Sequence, residues 1–162
     1  MSEYCAKIYW VRGREESFID NKYSRGHRWD FDGGITVPAS SSPHVVPLPF
    51  SVEENIDPEE AFVASLSSCH MLFFLSIVAK RQYIVDEYVD RAVGFMALNT
   101  AGKMYMKKVI LRPDVVFSGE KQPDVEVIKE IHHLSHAECF IANSVKTEIS
   151  IEINGLGIQE YV

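Results

Sequence analysis

Apolar positions along the chain follow two periodicities, interrupted by one long apolar run. Near the N-terminus, Ala6-Lys-Ile-Tyr-Trp-Val-Arg12 alternates as a strand does. In Gly26-His-Arg-Trp-Asp-Phe-Asp32, His27, Trp29 and Phe31 share one face, and Arg28, Asp30 and Asp32 share the other. Asp32-Gly33-Gly34 then signals a hairpin turn. Between Val37 and Asp57, Pro38, Pro43, Pro47 and Pro49 exclude a helix, and any strand there has to lie at a sheet edge. A connection of about 20 residues in a compact domain is uncommon and usually functional.

Asp57-Pro58-Glu59-Glu60 opens a helix. Asp57 is the N-cap, Pro58 takes the first helical position and Glu60 closes a capping box. The helix is expected to end near Arg81, where Lys80 and Arg81 suit the negative end of the helix dipole. The 19 residues from Ala61 to Ala79 carry no formal charge, close to the length that spans a bilayer. They also include Ser65, Ser67, Ser68, Cys69, His70 and Ser76, which are costly against lipid, so a buried central helix is the expectation and no membrane is implied. Arg91–Asn99 and Lys103–Phe117 read as two strands joined around Thr100-Ala-Gly102. Pro123 and Asp124 start a second helix, with Val125, Ile128, Ile131 and Leu134 on its apolar stripe and Glu126, Lys129 and Glu130 opposite. Val145, Thr147, Ile149, Ile151 and Ile153 alternate as a last strand. This order predicts one α+β domain over residues 1–162, with antiparallel sheets packed around a long buried central helix.

Composition narrows the function classes. An apolar fraction of 46% with 24% charged residues is that of a globular chain. A net charge of −7 argues against nucleic acid and anionic membrane surfaces as partners. The start, Met-Ser-Glu-Tyr-Cys-Ala-Lys, lacks a basic segment followed by an apolar one, so no secretion signal is expected. Cys5, Cys69 and Cys139 suit a reducing cytoplasm, where a disulfide is transient and catalytic.

Cys69 lies within the apolar run and is either inert packing or a sheltered nucleophile. A free thiol titrates near 8.5, and burial lowers its thiolate fraction further, so a reactive Cys69 needs a cation or hydrogen-bond donors. The helix dipole fades within the first turn, and His70 points about 100° away. The face of Cys69 carries Phe62, Ser65, Leu66, Leu72, Phe73 and Ser76, none of them a base. Arg25, Arg28 and His136 are the candidate activators, and Glu59 is the natural brace for an arginine fork. Glu59 precedes Cys69 by ten residues, about 15 Å along a continuous helix. Either the helix breaks, or a second subunit supplies the glutamate through antiparallel pairing of two such helices. Plain structural roles stand beside these readings: Arg25 and Arg28 as surface partners of Asp30 or Asp32, and Glu59 as a helix-start acid. His132, His136 and Cys139 with Cys69 resemble a metal set, but no second clear ligand pair is present. Solvated or capping histidines are the expectation there.

The run Asp57-Pro-Glu59-Glu-Ala-Phe-Val-Ala-Ser-Leu-Ser-Ser-Cys69 resembles the Asn-Pro-Glu-x(9)-Cys signature of the osmotically induced protein C (OsmC) and organic hydroperoxide resistance (Ohr) family. Cys139, placed shortly before the final strand, and the arginine-bearing segment Arg25-Gly-His-Arg-Trp-Asp-Phe-Asp-Gly-Gly34 extend the likeness along the chain. The resemblance implies an OsmC-like fold, an intertwined homodimer with interfacial sites and a thiol peroxidase without cofactor or metal. By that analogy Cys69 attacks an organic hydroperoxide, Cys139 resolves the sulfenic acid as a disulfide, and an external thiol or dithiol reduces it. Arg25, with Arg28 as second choice, and Glu59 then favour the thiolate. His70 after Cys69, Phe140 after Cys139 and the aromatic Trp29 region depart from the family pattern. The alternative is a non-enzymatic module of the same fold that binds a hydrophobic ligand or senses redox state.

Overall fold

The alternating N-terminal stretches form strands β1 (Ala6–Tyr9), β2 (His27–Phe31) and β3 (Thr36–Ala39) in a computed structural model, which describes residues 1–153 and the backbone of residues 157–161. The chain divides into two compact units, Met1–Ala61 and Phe62–Val162. In the first, β1, β2 and β3 make an antiparallel sheet in that order. The expected turn joins β2 to β3, with Gly34 at φ +85°, a conformation that favours glycine. β3 takes up the start of the proline-rich stretch, and Pro38 is accommodated because β3 lies at the sheet edge. The rest of that stretch folds back on the same unit. Ser40 N–H donates to the Ile56 carbonyl at 3.0 Å, and the Ser40 hydroxyl accepts from Val52 N–H at 2.9 Å.

Helix α1 runs without interruption from Pro58 to Lys80. Its start has the expected reciprocal cap: Glu60 N–H donates to Asp57 Oδ1 at 2.7 Å, and Asp57 N–H donates to Glu60 Oε2 at 3.2 Å. Of the 23 helical residues, Leu66, His70, Phe74 and Val78 are buried, a stripe at intervals of four. Ala64, Ser68, Leu72, Ser76 and Ala79 form an exposed stripe, so this chain covers one side of α1 rather than surrounding it.

The second unit departs from the expected strand plan in four places. Ile84–Asp90, unassigned in the sequence reading, forms β4. The expected strand Lys103–Phe117 is two strands, β6 (Met104–Leu111) and β7 (Pro113–Ser118), divided at Arg112. Arg112 N–H donates to Asp90 Oδ1 at 2.6 Å, and Pro113 has no N–H to give, so the ladder cannot continue through this point. β7 pairs with β4, and β6 forms the anticipated hairpin with β5 (Val93–Leu98) around Gly102 at φ +71°. β8 (Glu148–Ile153) then lies parallel to β6, one parallel pair among otherwise antiparallel ones. β9 (Gly157–Tyr161), also unassigned from sequence, completes the sheet β5-β6-β8-β9.

Helix α2 (Val125–Glu138) starts at the expected cap, where Asp124 Oδ1 accepts from Val127 N–H at 2.9 Å. Two apolar clusters form the core of this unit. One joins Leu66, Val109, Leu111, Ile149, Ile151, Ile153 and Cys139, and the other joins Phe74, Val78 and Ile131. Each fully buried Leu, Ile or Phe contributes about 1.5–3 kcal/mol of transfer free energy. The two helices therefore pack across the region that carries both later cysteines.

Candidate active site: two thiols at a helix seam

Cys69 and Cys139 come together within the second unit. Cys69 projects from the third turn of α1 and is half-buried, packed against the cluster that holds Cys139. Cys139 ends α2: it is the C-cap, with φ −66° and ψ 112°, and its N–H donates to the His136 carbonyl at 3.2 Å. A short 3-10 turn, Ala142–Ser144, folds back so that Ala142 N–H donates to Cys139 Sγ at 3.4 Å. The Asn143 side chain fastens this turn through the Ala137 and Cys139 carbonyls at 2.8 and 3.0 Å. The Phe140 ring meets Phe73, one turn beyond Cys69, edge to face at 5.1 Å.

The two thiols differ in environment. Cys139 is 1% exposed, and burial pushes its pKa up, reinforced by a side-chain hydrogen bond with Cys69. Both effects favour the neutral thiol at Cys139. The arrangement packs a more accessible thiol against the cluster that holds a sheltered one.

One histidine near this seam, His132, is not where the sequence predicts it, whereas His70 lies in the core as a buried central helix implies. His132 is fully buried rather than solvated or capping, and His70 is 1% exposed. His70 Nε2 and His132 Nδ1 are 3.0 Å apart, their rings parallel within 4°. Among the described residues no group of three or more His, Cys, Asp or Glu is placed to hold a metal ion. The four-residue spacing Leu66-His70-Phe74-Val78 and the position of His132 one turn after Ile128 are the sequence signals that would have placed both rings in the core.

The remaining candidates belong to the first unit. The half-buried Arg25 guanidinium donates to the Asn21 carbonyl at 2.9 Å, to Asn21 Oδ1 at 2.6 Å and to the Tyr23 carbonyl, and lies 3.8 Å from the centre of the Tyr23 ring. Arg28 is exposed and takes the surface role: its Nε donates to both oxygens of Asp30 at 3.2 Å, and its guanidinium covers Tyr9. Glu59 is half-buried in the first turn of α1. Because α1 is unbroken, Glu59 keeps its separation of about 15 Å along the helix axis from the Cys69 of its own chain.

A family model described as OsmC-like protein matches residues 52–154, the segment that carries Glu59, Cys69 and Cys139. The chain belongs to the OsmC-like protein family. An OsmC-like protein of unknown function from Vibrio cholerae O1 biovar eltor is 58% identical, with a TM-score of 0.93 over 94% of this chain and 99% of that one. Two more distant structures show the shared fold. An OsmC-like protein from Mycoplasma pneumoniae is 12% identical, with a TM-score of 0.69 over 94% of this chain and 96% of that one. An organic hydroperoxide resistance protein from Elizabethkingia anophelis is 13% identical, with a TM-score of 0.64 over 94% and 95% of the two chains. No curated protein matches the chain.

Proposed function

We propose that this OsmC-like protein is a thiol-dependent peroxidase that reduces organic hydroperoxides. The contact between the half-buried Cys69 and the fully buried Cys139 carries the reading. In the first step the Cys69 thiolate attacks the outer oxygen of the hydroperoxide. The O–O bond breaks, the substrate leaves as an alcohol after taking up a proton, and Cys69 becomes a sulfenic acid. The Cys139 sulfur then attacks the Cys69 sulfur, and with its proton the hydroxyl departs as water, leaving a disulfide. An external thiol or dithiol supplies the two electrons that restore both thiols. A sheltered, protonated Cys139 suits the second role, because peroxides react with thiolates and the resolving thiol has to survive the first step. Phe73, Phe140 and Leu72 beside Cys69 favour an alkyl or lipid substrate over hydrogen peroxide, since apolar surface gives binding energy only to apolar groups.

The activating residues in this reading come from a second copy of the chain. The unbroken α1 keeps Glu59 from its own Cys69, and the open stripe offers the small side chains of Ala64, Ser68, Ser76 and Ala79 around the large apolar Leu72, against which the same helix of a partner packs. A homodimer then brings Glu59, and Arg25 once drawn from Asn21, to the partner's thiol. The cytoplasm, which keeps thiols reduced, is the compartment in which such a cycle turns over.

Thiol titration after one equivalent of cumene hydroperoxide tests the proposal. Two of three thiols should disappear in the native protein, with a Cys69–Cys139 disulfide found by mass spectrometry and recovered by dithiothreitol. Cys69→Ser should abolish the loss. Retention of all three thiols in the native protein would discard the peroxidase.

A further inference from the structure

We propose that the buried hydrogen bond between His70 and His132 is a positioning device: it fixes the register of α1 against α2 and so keeps the two thiols packed together. The inference deepens the reading of Cys69 and Cys139 as a redox pair and rests on it. Contacts between the two helices are spread along α1 from Cys69 to Arg81. At one end Arg81 donates to both carboxylate oxygens of Glu130 at 2.7 and 2.8 Å; in the middle His70 and Phe74 meet His132; at the other end Cys69 meets Cys139 and Phe73 meets Phe140. Much of what lies between is apolar, built from Phe74, Val78 and Ile131. Apolar contact is non-directional and tolerates small sliding. A ring-to-ring hydrogen bond does not.

The pair carries a cost that points to specificity rather than stability. His70 Nδ1 and His132 Nε2 are buried without a partner among the described residues. Whichever ring donates, one buried N–H and one buried lone pair remain unmet, a desolvation cost with no return. Burial, then repulsion from His132 and His136, disfavours protonation of His70, so the pair does not recover the cost as a charged contact. Two leucines would fill the space without that penalty. Buried polar contacts that persist against such a cost serve in the best-attested cases to choose one register among several. Here the register decides the chemistry: His70 is adjacent to Cys69, and His132 lies on the helix whose end is Cys139.

The double variant His70→Leu/His132→Leu separates this role from simple packing. Equilibrated with reduced and oxidised glutathione, it should form the Cys69–Cys139 disulfide at least about tenfold less favourably than the native protein, the size of an ordinary coupling between contacting residues. Its thermal midpoint should hold or rise, because both partners have been replaced by apolar groups. After cumene hydroperoxide, oxidation of Cys69 should keep its rate while disulfide closure slows, leaving a sulfenic acid that dimedone captures. His132→Asn, which presents a polar atom where Nδ1 stood, should close as the native protein does, whereas His132→Leu should not. Those two single variants carry the same comparison should the double variant not fold. Native-like disulfide formation in the leucine variants overturns the register role alone. A native protein that forms no Cys69–Cys139 disulfide with glutathione or hydroperoxide removes the redox-pair reading beneath it.

Discussion

The same functional group behaves differently at Cys5, Cys69 and Cys139 because water and donors reach each differently. Cys5 is exposed, with its thiol directed to Glu3 Oε1 at 3.5 Å. Cys139 lies in the apolar cluster, where burial, reinforced by the neighbouring Cys69, raises its pKa. Thiolate fraction falls tenfold for each unit by which a thiol's pKa rises above ambient pH, and access falls with burial. Iodoacetamide at pH 7.5 should therefore alkylate Cys139 at least about tenfold more slowly than Cys5, read by peptide mass spectrometry over time. Equal rates would mean that the packing around the second thiol is open in solution, and with it the argument that Cys139 waits for Cys69 would fail. At this scale the sequence was informative where chemistry is local. The Asp57–Glu60 cap follows from four adjacent residues and is present as expected. The convergence of Cys69 with Cys139 does not follow from any local pattern, because it depends on two helices meeting. The family resemblance, not the periodicity, anticipated it.

At the scale of elements, α1 and α2 are joined by a contact that responds to pH. Burial, then repulsion from His132 and His136, lowers His70 to about 3, and burial lowers His132 to about 4. In the unfolded chain both titrate near 6.5, so between about pH 6.5 and 4 the unfolded state binds more protons than the folded one. Stability is then fully present above pH 6.5 and is lost as pH falls toward the folded values, by up to about 1.4 kcal/mol per pH unit for each histidine. Urea midpoints measured from pH 7 to 4.5 should fall steeply in the native protein and less steeply in His70→Leu/His132→Leu. A residual slope from His136, itself lowered by burial and by His133, should remain. Identical slopes would show that the rings are solvated in the folded state. The strands missed from sequence have equally physical causes. In β4 the ladder slips between Val85 and Glu87, which breaks the two-residue period that sequence patterning relies on. β6 and β7 read as one run because both alternate, and only the long-range bond from Arg112 N–H to Asp90 divides them. The parallel pairing of β8 with β6 is a crossover that turn chemistry cannot announce.

At the scale of the whole molecule, one copy leaves the site incomplete. This chain fully buries only the Leu66-His70-Phe74-Val78 stripe of α1, and Leu72 on the opposite stripe is 60% exposed. Glu59 sits about 15 Å from Cys69 along an unbroken helix, so the activating acid and the thiol of one site belong to different copies in the proposed dimer. That arrangement has a consequence which no arrangement within one chain shares. Cys69→Ser removes the nucleophile from one site, and Glu59→Gln removes the brace from the site across the interface; each homodimer should be inactive toward cumene hydroperoxide. In a mixed dimer, the Glu59→Gln copy keeps its Cys69 and receives Glu59 from the Cys69→Ser copy, so one site is whole and the other carries both defects. Random exchange at equal concentrations makes half of the dimers mixed, and activity should recover to about a quarter of the native value. If Glu59 served the thiol of its own chain, every site in the mixture would carry one defect and nothing would recover. Leu72→Glu, which places a charge on the open stripe, should prevent both dimerisation in sedimentation and recovery on mixing. Recovery from monomers, or none from demonstrated mixed dimers, would refute the shared site.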